Sequence, residues 1–329
     1  MHYDFLAVGD MVIDNFIRLK EAEVKCDEHG AHCMLAMHYG TKLPFEFSVE
    51  VPAVGNAANA AVCASRLGLS SGFSSAVGHD ANGEKCVQSL KKDGVRTELV
   101  SEQDGKTTNY HFVLWFQSDR TILIKHETFD YHLPIQSTPP KWVYLSSLSD
   151  HSLPYHVELA KLFAQWYDTK IAFQPGTFQM SFGTDALAEI YKQTEIFFCN
   201  KEEAQLILKS ESEDPKELLK GIRALGPKIA VVTDDRRGAY AMNDDGAWHV
   251  PMYPDPRPPY ERTGAGDAFS STVVAALALG EPLETALLWG PINAMSVVQK
   301  IGAQEGLLDR EALQKLLDGA PAEYRLTGM

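Results

Sequence analysis

The sequence predicts an α/β fold: a three-layer α/β/α sandwich with a mostly parallel central sheet, accompanied by a small β-sheet lid. Two observations support this prediction. Short apolar runs alternate with amphipathic helical patterns from one end of the chain to the other, a pattern typical of a parallel sheet covered by helices on both faces. Two further stretches break the alternation and predict strands of a separate, smaller sheet.

The main sheet and its helices account for most of the chain. Short apolar runs predict buried strands at Phe5–Gly9, Trp142–Leu145, Lys170–Phe173, Glu195–Cys199 and Ile229–Thr233. Helical periodicity predicts helices at Ala57–Leu67, Glu84–Lys92, Pro154–Tyr167, Asp185–Gln193 and Pro215–Leu225. We expect these elements to form a single domain over residues 1–329.

The lid is predicted from strands that have one wet face. Residues 43–51 place apolar side chains at odd positions and polar ones at nearly all even positions, which predicts a strand with one solvent-facing side. Thr107–Phe116 and Arg120–His126 predict a hairpin, and Ile13–Leu19 adds another strand. The lid insertions are therefore expected near residues 12–51 and 107–126, where they would cover an active site or form a dimer surface.

The charge and composition of the chain limit the kinds of partner that it can bind. It carries 44 acidic and 30 basic side chains, a formal net charge of -14, and a field of that sign repels nucleic acid and anionic lipid. We therefore expect a small-molecule partner, with neither nucleic acid nor membrane. The start of the chain is unlike a signal peptide, no apolar run could span a bilayer, and the five scattered cysteines are unlike a secreted disulfide framework. A reducing cytoplasm is the expected location.

The most informative segment is a glycine-rich loop that leads into an apolar helix. Residues 261–267 read ERTGAGD, and the helix after them ends near Gly280. Backbone N–H groups at a helix N-terminus have no intrahelical partner, so glycines there allow an anion to approach closely. Asp267 is placed to accept the proton of an attacking hydroxyl while the amides stabilise a phosphoryl group. An ordinary glycine turn with a helix-capping Asp would give the same pattern.

This segment resembles the C-terminal signature of the ribokinase-like (PfkB-type) carbohydrate and nucleoside kinases. The resemblance implies that Asp267 is the catalytic base and that the amides of Gly264, Ala265 and Gly266 form the anion hole. Thr263, Gly264 and Gly266 would also contact the nucleotide. Other segments match the family in the right order, so the resemblance covers nearly the whole chain, from about residue 5 to residue 308.

Two positions depart from the family pattern at this signature. Glu261 and Arg262 stand where the family usually has Asp and then Thr. Glu261 preserves the charge. Arg262 is expected either to pair with Glu261 or to meet a phosphate of the substrate or nucleotide.

A second segment is similar to the N-terminal signature of the same family. Residues 54–59 read VGNAAN, with Val54 in place of the first of two glycines. By resemblance, Gly55, Asn56 and Asn59 bind the substrate, and an amide that both donates and accepts hydrogen bonds suits a polyol. A hydrogen bond at the start of the helix is the alternative role for Asn59.

Asp14 and the lid complete the expected substrate site. By resemblance, Asp14 takes two sugar hydroxyls, although local sequence alone would favour a solvated loop Asp. Asn109 is expected to bind the substrate, and further lid residues that choose among substrates are expected among His111, Phe112, Trp115 and Phe47. The turn at residues 78–83 matches a family element that we interpret as structural.

The nucleotide and metal sites are expected at other strand ends. Asn200 and Glu203 match the family's Asn-x-x-Glu element, and their hard oxygens suit Mg²⁺ held through water; helix capping is the alternative for Asn200. By resemblance, Thr233 and Gly238 lie beside the nucleotide, and Asn293 encloses its adenine.

These features predict an ATP-dependent kinase that phosphorylates a hydroxyl of a sugar or nucleoside. A catalytically silent sugar- or nucleotide-binding sensor on the same fold is the alternative, and ADP formation discriminates between the two. The acceptor stays open among ribose, fructose, keto-deoxy sugars and nucleosides. A phosphosugar would need a cationic cluster, which Arg120, Lys125 and Arg262 are the obvious residues to supply. A monovalent cation is used in parts of the family, and an apolar outer lid face would favour a homodimer through that sheet.

One group of potential metal ligands lies in the presumed lid: Cys26, His29, His32, Cys33 and His38. Zinc favours these ligand types, but their spacing matches no zinc-finger pattern. Adjacent His32 and Cys33 would also strain to bind one ion on regular backbone. A solvent-facing helical excursion is the favoured interpretation.

Overall fold

The main element of the fold is a ten-stranded sheet. The structure is a computed structural model that describes residues 2–27, 33–117, 119–134 and 138–329. Its strands are, in chain order, β1 Phe5–Val8, β2 Val12–Leu19, β3 Glu23–Cys26, β4 Cys33–Ala36, β5 Phe45–Val54, β6 Ser71–Gly78, β7 Arg96–Gln103, β8 Tyr110–Phe116, β9 Asp119–Leu123, β10 Trp142–Leu145, β11 Lys170–Phe173, β12 Thr194–Asn200, β13 Ile229–Thr233, β14 Ala239–Met242, β15 Ala247–Val250 and β16 Thr327–Gly328. The central sheet has the order β16-β15-β14-β13-β12-β11-β10-β1-β6-β7. Neighbours from β13 to β7 pair in parallel, and β14, β15 and β16 add an antiparallel edge.

Helices cover both faces of this sheet. They are, in chain order, α1 Asn56–Arg66, α2 Ala81–Lys92, α3 Leu153–Phe163, α4 Thr177–Phe182, α5 Ala188–Gln193, α6 Lys201–Leu208, α7 Pro215–Ala224, α8 Ala265–Ala278, α9 Leu283–Val297 and α10 Arg310–Asp318. Alternate residues of β1 enter opposite apolar layers, as period-two side chains must: Phe5 and Ala7 join the layer of α1, α8 and α9, whereas Leu6 and Val8 join that of α3, α5 and α7. The predicted three-layer fold is confirmed. None of the described helices is long and apolar enough to cross a membrane.

The predicted central strands are confirmed to within one residue at each end. Three helices differ in length from the prediction, for local reasons. The helix α5 begins at Ala188 rather than at Asp185, because the residues before it form a turn in which the N–H of Ala188 bonds to the carbonyl of Asp185. The helix α2 begins three residues earlier because Asp80 caps it, accepting a hydrogen bond from the N–H of Gly83 at 2.7 Å. The helix α3 ends at Phe163, after which the N–H groups of Gln165 and Trp166 bond three residues back and tighten the last turn.

The predicted second sheet is also present, in the order β5-β2-β8-β9. We call these four strands the small sheet. Asp14 lies opposite His111 in the parallel pairing of β2 with β8, and Arg18 lies opposite Trp115. The strand expected to reach residue 126 ends at Leu123 instead.

In the segment between β2 and β5, the structure differs from two expectations, a helical excursion and cysteine ligands for zinc. It forms a hairpin of β3 and β4 rather than a helical excursion, and a disulfide joins Cys26 to Cys33, whose Cα atoms lie 4.0 Å apart. These paired cysteines are not free thiols, so they do not supply the zinc ligands that were considered. His29 and His32 lie outside the described residues.

Candidate active site

The glycine-rich loop shapes the N-terminus of α8. Gly264 has a left-handed backbone (φ +80°), and a Cβ there would lie 2.3 Å from the Cβ of Ala303, so this position requires glycine. The helix begins at the next residue, Ala265, and leaves its first N–H groups without intrahelical partners. A Cβ on Gly266 would have no neighbouring atom within 4 Å. The loop therefore offers backbone donors beside open space, which fits an anion site.

Three side-chain amides hold the carboxylate of Asp267. Asn56 and Gln174 donate to Oδ1 at 2.8 and 3.2 Å, and Asn59 donates to Oδ2 at 2.8 Å. Gln304 fixes Asn59 in turn, because its Nε2 donates to Asn59 Oδ1 at 3.0 Å. Two residues expected at the substrate, Asn56 and Asn59, thus contact the expected base directly.

Gln174 is a member of this network that sequence reasoning missed. It follows β11 directly, and the carboxyl ends of parallel strands meet at one edge of a sheet. Its position after a predicted strand could therefore have identified it as a candidate site residue. Tyr144 and Ser270 both hydrogen-bond to Gln174 Oε1, the serine at 3.1 Å. These contacts turn the amide nitrogen of Gln174 towards Asp267.

The environment of Asp267 makes it a stronger base. Burial raises the pKa of Asp267 above its ordinary value, although the hydrogen bonds from Asn59, Gln174 and Asn56 oppose this rise. The pKa of Glu203 is also raised, chiefly by burial, and the negative charge of Asp267 adds to the rise. The two carboxylates are therefore close enough to interact.

Glu261 links the loop to the small sheet. Its Oε1 accepts hydrogen bonds from the N–H and hydroxyl of Thr263 at 2.8 and 2.5 Å and lies 3.5 Å from Nη1 of Arg120 on β9. Because the Glu261 side chain is buried, its charge needs this partner. Arg262 pairs instead with Asp235 at 3.7 Å on the surface, so of the two alternatives considered for Arg262, a pair with Glu261 is wrong.

Asn200 and Glu203 form a capping box at the start of α6. Asn200 Oδ1 accepts from the N–H of Glu203, and Glu203 Oε2 accepts from the N–H of Asn200, both at 2.8 Å. The capping role considered for Asn200 is confirmed. Glu203 Oε1 has no hydrogen-bond partner among the described residues. A free carboxylate oxygen near Asp267 is the hard donor that Mg²⁺ binds through water, so the donor set fits this ion.

Thr233 and Gly238 lie beside Asn200. Thr233 is opposite Asn200 where β12 and β13 end, and the N–H of Asp234 donates to the carbonyl of Gly238 at 2.8 Å. A Cβ on Gly238 would lie 2.2 Å from the carbonyl oxygen of Val250. Packing therefore requires glycine there, and three residues expected at the nucleotide share one edge of the sheet.

Asn293 does not belong to this site. Its side chain is fully buried; Nδ2 donates to the Thr272 hydroxyl at 2.8 Å, and Oδ1 accepts from the N–H of Leu308 at 2.9 Å. Because the side chain joins α9 to α8 and to the segment before α10, no part of it is exposed to a ligand. The prediction that Asn293 encloses adenine is wrong.

Three further residues expected at the substrate, Asp14, Asn109 and Gly55, lie in or next to strands of the small sheet. Asp14 is buried, with Oδ1 lying 3.2 Å from Nδ1 of His111, so it is not a solvated loop residue. Asn109 is buried just ahead of β8. Gly55 has φ +121°, and a Cβ there would lie 2.8 Å from the carbonyl oxygen of Asp10. Gly55 thus lets α1 start directly against the end of β1.

Two surface cavities lie away from these residues. One of about 250 Å³ is lined by side chains of α3 and α5 and the residues around them, and one of about 390 Å³ lies against the hairpin of β3 and β4. Neither is lined by a residue of the network around Asp267.

Comparisons with known proteins identify relatives of this chain. The profile of the pfkB family of carbohydrate kinases matches residues 38–310. A nucleoside kinase of Methanothermobacter thermautotrophicus is 25% identical over 309 residues, covering 93% of each chain. An ATP-dependent 6-phosphofructokinase of Thermoanaerobacterium thermosaccharolyticum is 24% identical over 331 residues, covering 96% of this chain and 94% of the relative. The structure of Arabidopsis thaliana ribokinase complexed with ribose and ATP superposes with a TM-score of 0.77 at 20% identity, covering 96% of this chain and 99% of that one.

Proposed function

The chain belongs to the pfkB family of carbohydrate kinases, and we propose that it transfers the γ-phosphoryl group of ATP to a hydroxyl of a sugar or nucleoside. One observation carries the proposal: Asp267, oriented by three amides, lies in the first turn of α8 directly after a loop of exposed backbone donors. A base beside an anion site is what phosphoryl transfer to an alcohol requires.

The hydrogen bonds of Asp267 indicate where the acceptor hydroxyl binds. Each carboxylate oxygen offers two lone-pair sites. Oδ1 accepts from Asn56 and Gln174, whereas Oδ2 accepts only from Asn59 among the described residues. We place the hydroxyl at the open site of Oδ2. Its proton passes to Asp267 as its oxygen bonds to the γ-phosphorus, and the bond from that phosphorus to the leaving oxygen of ADP breaks.

The loop supplies the positive potential for the transferred group. The N–H groups of Gly264, Ala265 and Gly266 and the dipole of α8 stabilise the negative charge on the phosphoryl oxygens. We place Thr263 beside the nucleotide here. Asn200, Thr233 and Gly238 form the side on which we place ATP. Glu203 would hold Mg²⁺ through water, and the bound ion would neutralise charge on the phosphates.

The small sheet is proposed as the lid of a one-domain enzyme, built from insertions at residues 12–51 and 107–126. Asp14 on β2 and His111 on β8 lie 3.2 Å apart, and we place this pair on the face towards the site. Its outer face exposes Phe112 and Leu123, and these apolar side chains support a homodimer through the sheet.

Release of ADP from ATP and Mg²⁺ tests the proposal, with ribose, fructose, other sugars, sugar phosphates and nucleosides as acceptors. We expect one acceptor class to react and Asp267→Asn to lower its turnover by about a thousandfold, because the amide cannot take the proton. Asp104→Asn, a change at an exposed site, is the matched control and should react normally. ATP binding without ADP from any acceptor would favour the sensor instead, and full turnover by Asp267→Asn would refute the base.

A further inference from the structure

A cavity of about 250 Å³ lies between the helices α3 and α5, in the helical layer opposite the one that contains α8. We call it the α3–α5 cavity. Its floor is apolar, because Ala160, Leu187 and Ile190 line it and are only 8%, 2% and 2% exposed. The side-chain amide of Gln193 donates to the carbonyls of Ala160 at 3.2 Å and Glu189 at 2.8 Å. Side-chain hydrogen bonds therefore hold the two helices together at the cavity.

One fully buried polar side chain, that of His156, belongs to the wall of the α3–α5 cavity. Its ring atom Nε2 has no hydrogen-bond partner in the described part of the chain. The other ring nitrogen, Nδ1, lies 2.9 Å from the carbonyl oxygen of Ser152, one turn earlier in the chain. A carbonyl only accepts hydrogen bonds, so Nδ1 carries a proton and donates it to this bond. An unpartnered buried polar atom costs free energy, and Nε2 beside a cavity indicates a place for a ligand.

The ring of His156 is neutral at neutral pH. Burial lowers the pKa of His156 below its ordinary value, although the hydrogen bond to Ser152 and the negative charge of Asp10 oppose this change. Because the proton of the neutral ring is on Nδ1, Nε2 has a lone pair and only accepts hydrogen bonds. The nearest aromatic ring is that of Phe182, 6.0 Å away between centroids and nearly perpendicular, and it offers Nε2 no N–H or O–H group.

The lining of the cavity defines the chemistry of the ligand. A buried, unpartnered acceptor requires an O–H or N–H donor, and the apolar floor requires an apolar body next to that donor. The volume of about 250 Å³ lies just below the roughly 300–1,000 Å³ of most ligand pockets, so the ligand is smaller than a nucleotide. Lys161 and Glu189 lie at the exposed rim, and Glu189 already pairs with Lys192 at 2.7 Å.

We propose that the α3–α5 cavity is a second ligand site, in which a small molecule with an apolar body donates one hydrogen bond to Nε2 of His156. None of the described residues that we assign to ATP or to the acceptor lines this cavity. A ligand here therefore binds together with the substrates, as an effector does. The inference does not depend on the proposed kinase function.

Phenol and toluene test the inference, because both have an aromatic ring and only phenol carries a donor. Each is titrated into the protein, and the methyl NMR signals of Ala160 and Ile190 report binding at the floor of the cavity. Both probes should bind. His156→Phe should lower the affinity for phenol relative to that for toluene by about tenfold, because the hydroxyl loses its acceptor. Comparing the two probes in each protein cancels the greater hydrophobicity of toluene.

Two tryptophan variants test the location. Ala164→Trp places a large side chain at an exposed residue of the cavity lining and should abolish the binding of both probes. Ala81→Trp, the matched change at an exposed alanine of α2, should bind them like the parent. A non-hydrolysable ATP analogue with Mg²⁺ should leave both affinities unchanged, because the two sites are separate.

Thermal unfolding shows whether each variant is folded. We expect His156→Phe to fold, because the carbonyl of Ser152 keeps the backbone N–H of His156 as a partner at 3.1 Å. If it does not fold, the nitrogen NMR signal of Nε2 in the parent decides, since it should move with phenol and not with toluene. The inference is overturned by phenol leaving the methyl signals unchanged, by an unchanged affinity ratio in His156→Phe, by full binding to Ala164→Trp, or by displacement of phenol by the ATP analogue.

Discussion

Alanine at Gly264 should damage the fold itself. The left-handed backbone at φ +80° costs a residue with a side chain about 1–2 kcal/mol. The added methyl would lie 2.3 Å from the Cβ and 2.6 Å from the Cα of Ala303, and overpacking of this kind costs about 1–3 kcal/mol more. We expect Gly264→Ala to lower the free energy of unfolding by about 2–5 kcal/mol.

Alanine at Gly266, two residues along, should preserve the stability of the fold but lower the activity. Nothing lies within 4 Å of a Cβ at this position, and alanine favours a helix over glycine by up to about 1 kcal/mol. Stability should therefore be unchanged or slightly increased. The methyl would project where we place the transferred phosphoryl group, so the kcat/KM of Gly266→Ala should fall by about a hundredfold.

Urea unfolding and ADP release, measured on both variants, separate the two effects. A Gly264→Ala protein that unfolds at the parent's urea midpoint would show that the loop does not have the described geometry. A Gly266→Ala protein with full turnover would show that the phosphoryl group does not bind above this residue. Because one variant should lose stability and the other should not, the comparison is independent of any general effect of alanine.

Three further predictions follow from named contacts. Arg120→Gln should lower the free energy of unfolding by about 1–3 kcal/mol, because buried Glu261 loses its charged partner. Adding Glu261→Gln should recover most of this loss. Equal urea midpoints for the single variant and the parent would contradict this prediction. Asn293→Ala should lower the free energy of unfolding by about 1–3 kcal/mol without changing the KM for ATP. A raised KM would indicate that Asn293 contacts the nucleotide after all. Burial disfavours the charged form of Asp80, but hydrogen bonds from Thr108 and the N–H of Gly83 hold its pKa below the ordinary 3.8. A carboxylate whose pKa is lower in the folded protein stabilises the fold at pH values above its pKa in the unfolded chain. This stabilisation is lost as the pH falls through the pKa of the folded state. Asp80→Asn should thus be less stable at neutral pH, with the gap in thermal midpoint narrowing below about pH 4.

Local patterns predicted the elements well where one physical cause dominated. The apolar runs of β10 and β11 gave strands because a buried parallel strand has no wet face to interrupt its hydrophobicity. The helical excursion predicted around Cys26 and Cys33 is wrong, because the strands β3 and β4 pair there and a disulfide joins the two cysteines. A short polar stretch has little periodicity, so cross-strand pairing decided its structure.

Site residues were predictable to the extent that their roles are local. The capping box of Asn200 with Glu203 and the glycine requirement at Gly264 concern the start of a single helix, where sequence and backbone geometry are tightly coupled. Asn293 failed because the same residue type is equally suited to a buried core hydrogen bond, and only its surroundings distinguish the two roles.

The sequence by itself determined the fold class, the family resemblance and the identity of Asp267 as the expected base, because periodicity, helix-start chemistry and a contiguous motif are all short-range properties. Only the tertiary structure decided which distant residues act on that base. Gln174 and Asn59 reach Asp267 across 93 and 208 positions of the chain. Such contacts depend on how strands and helices pack in space, a relation that no local pattern of residues records.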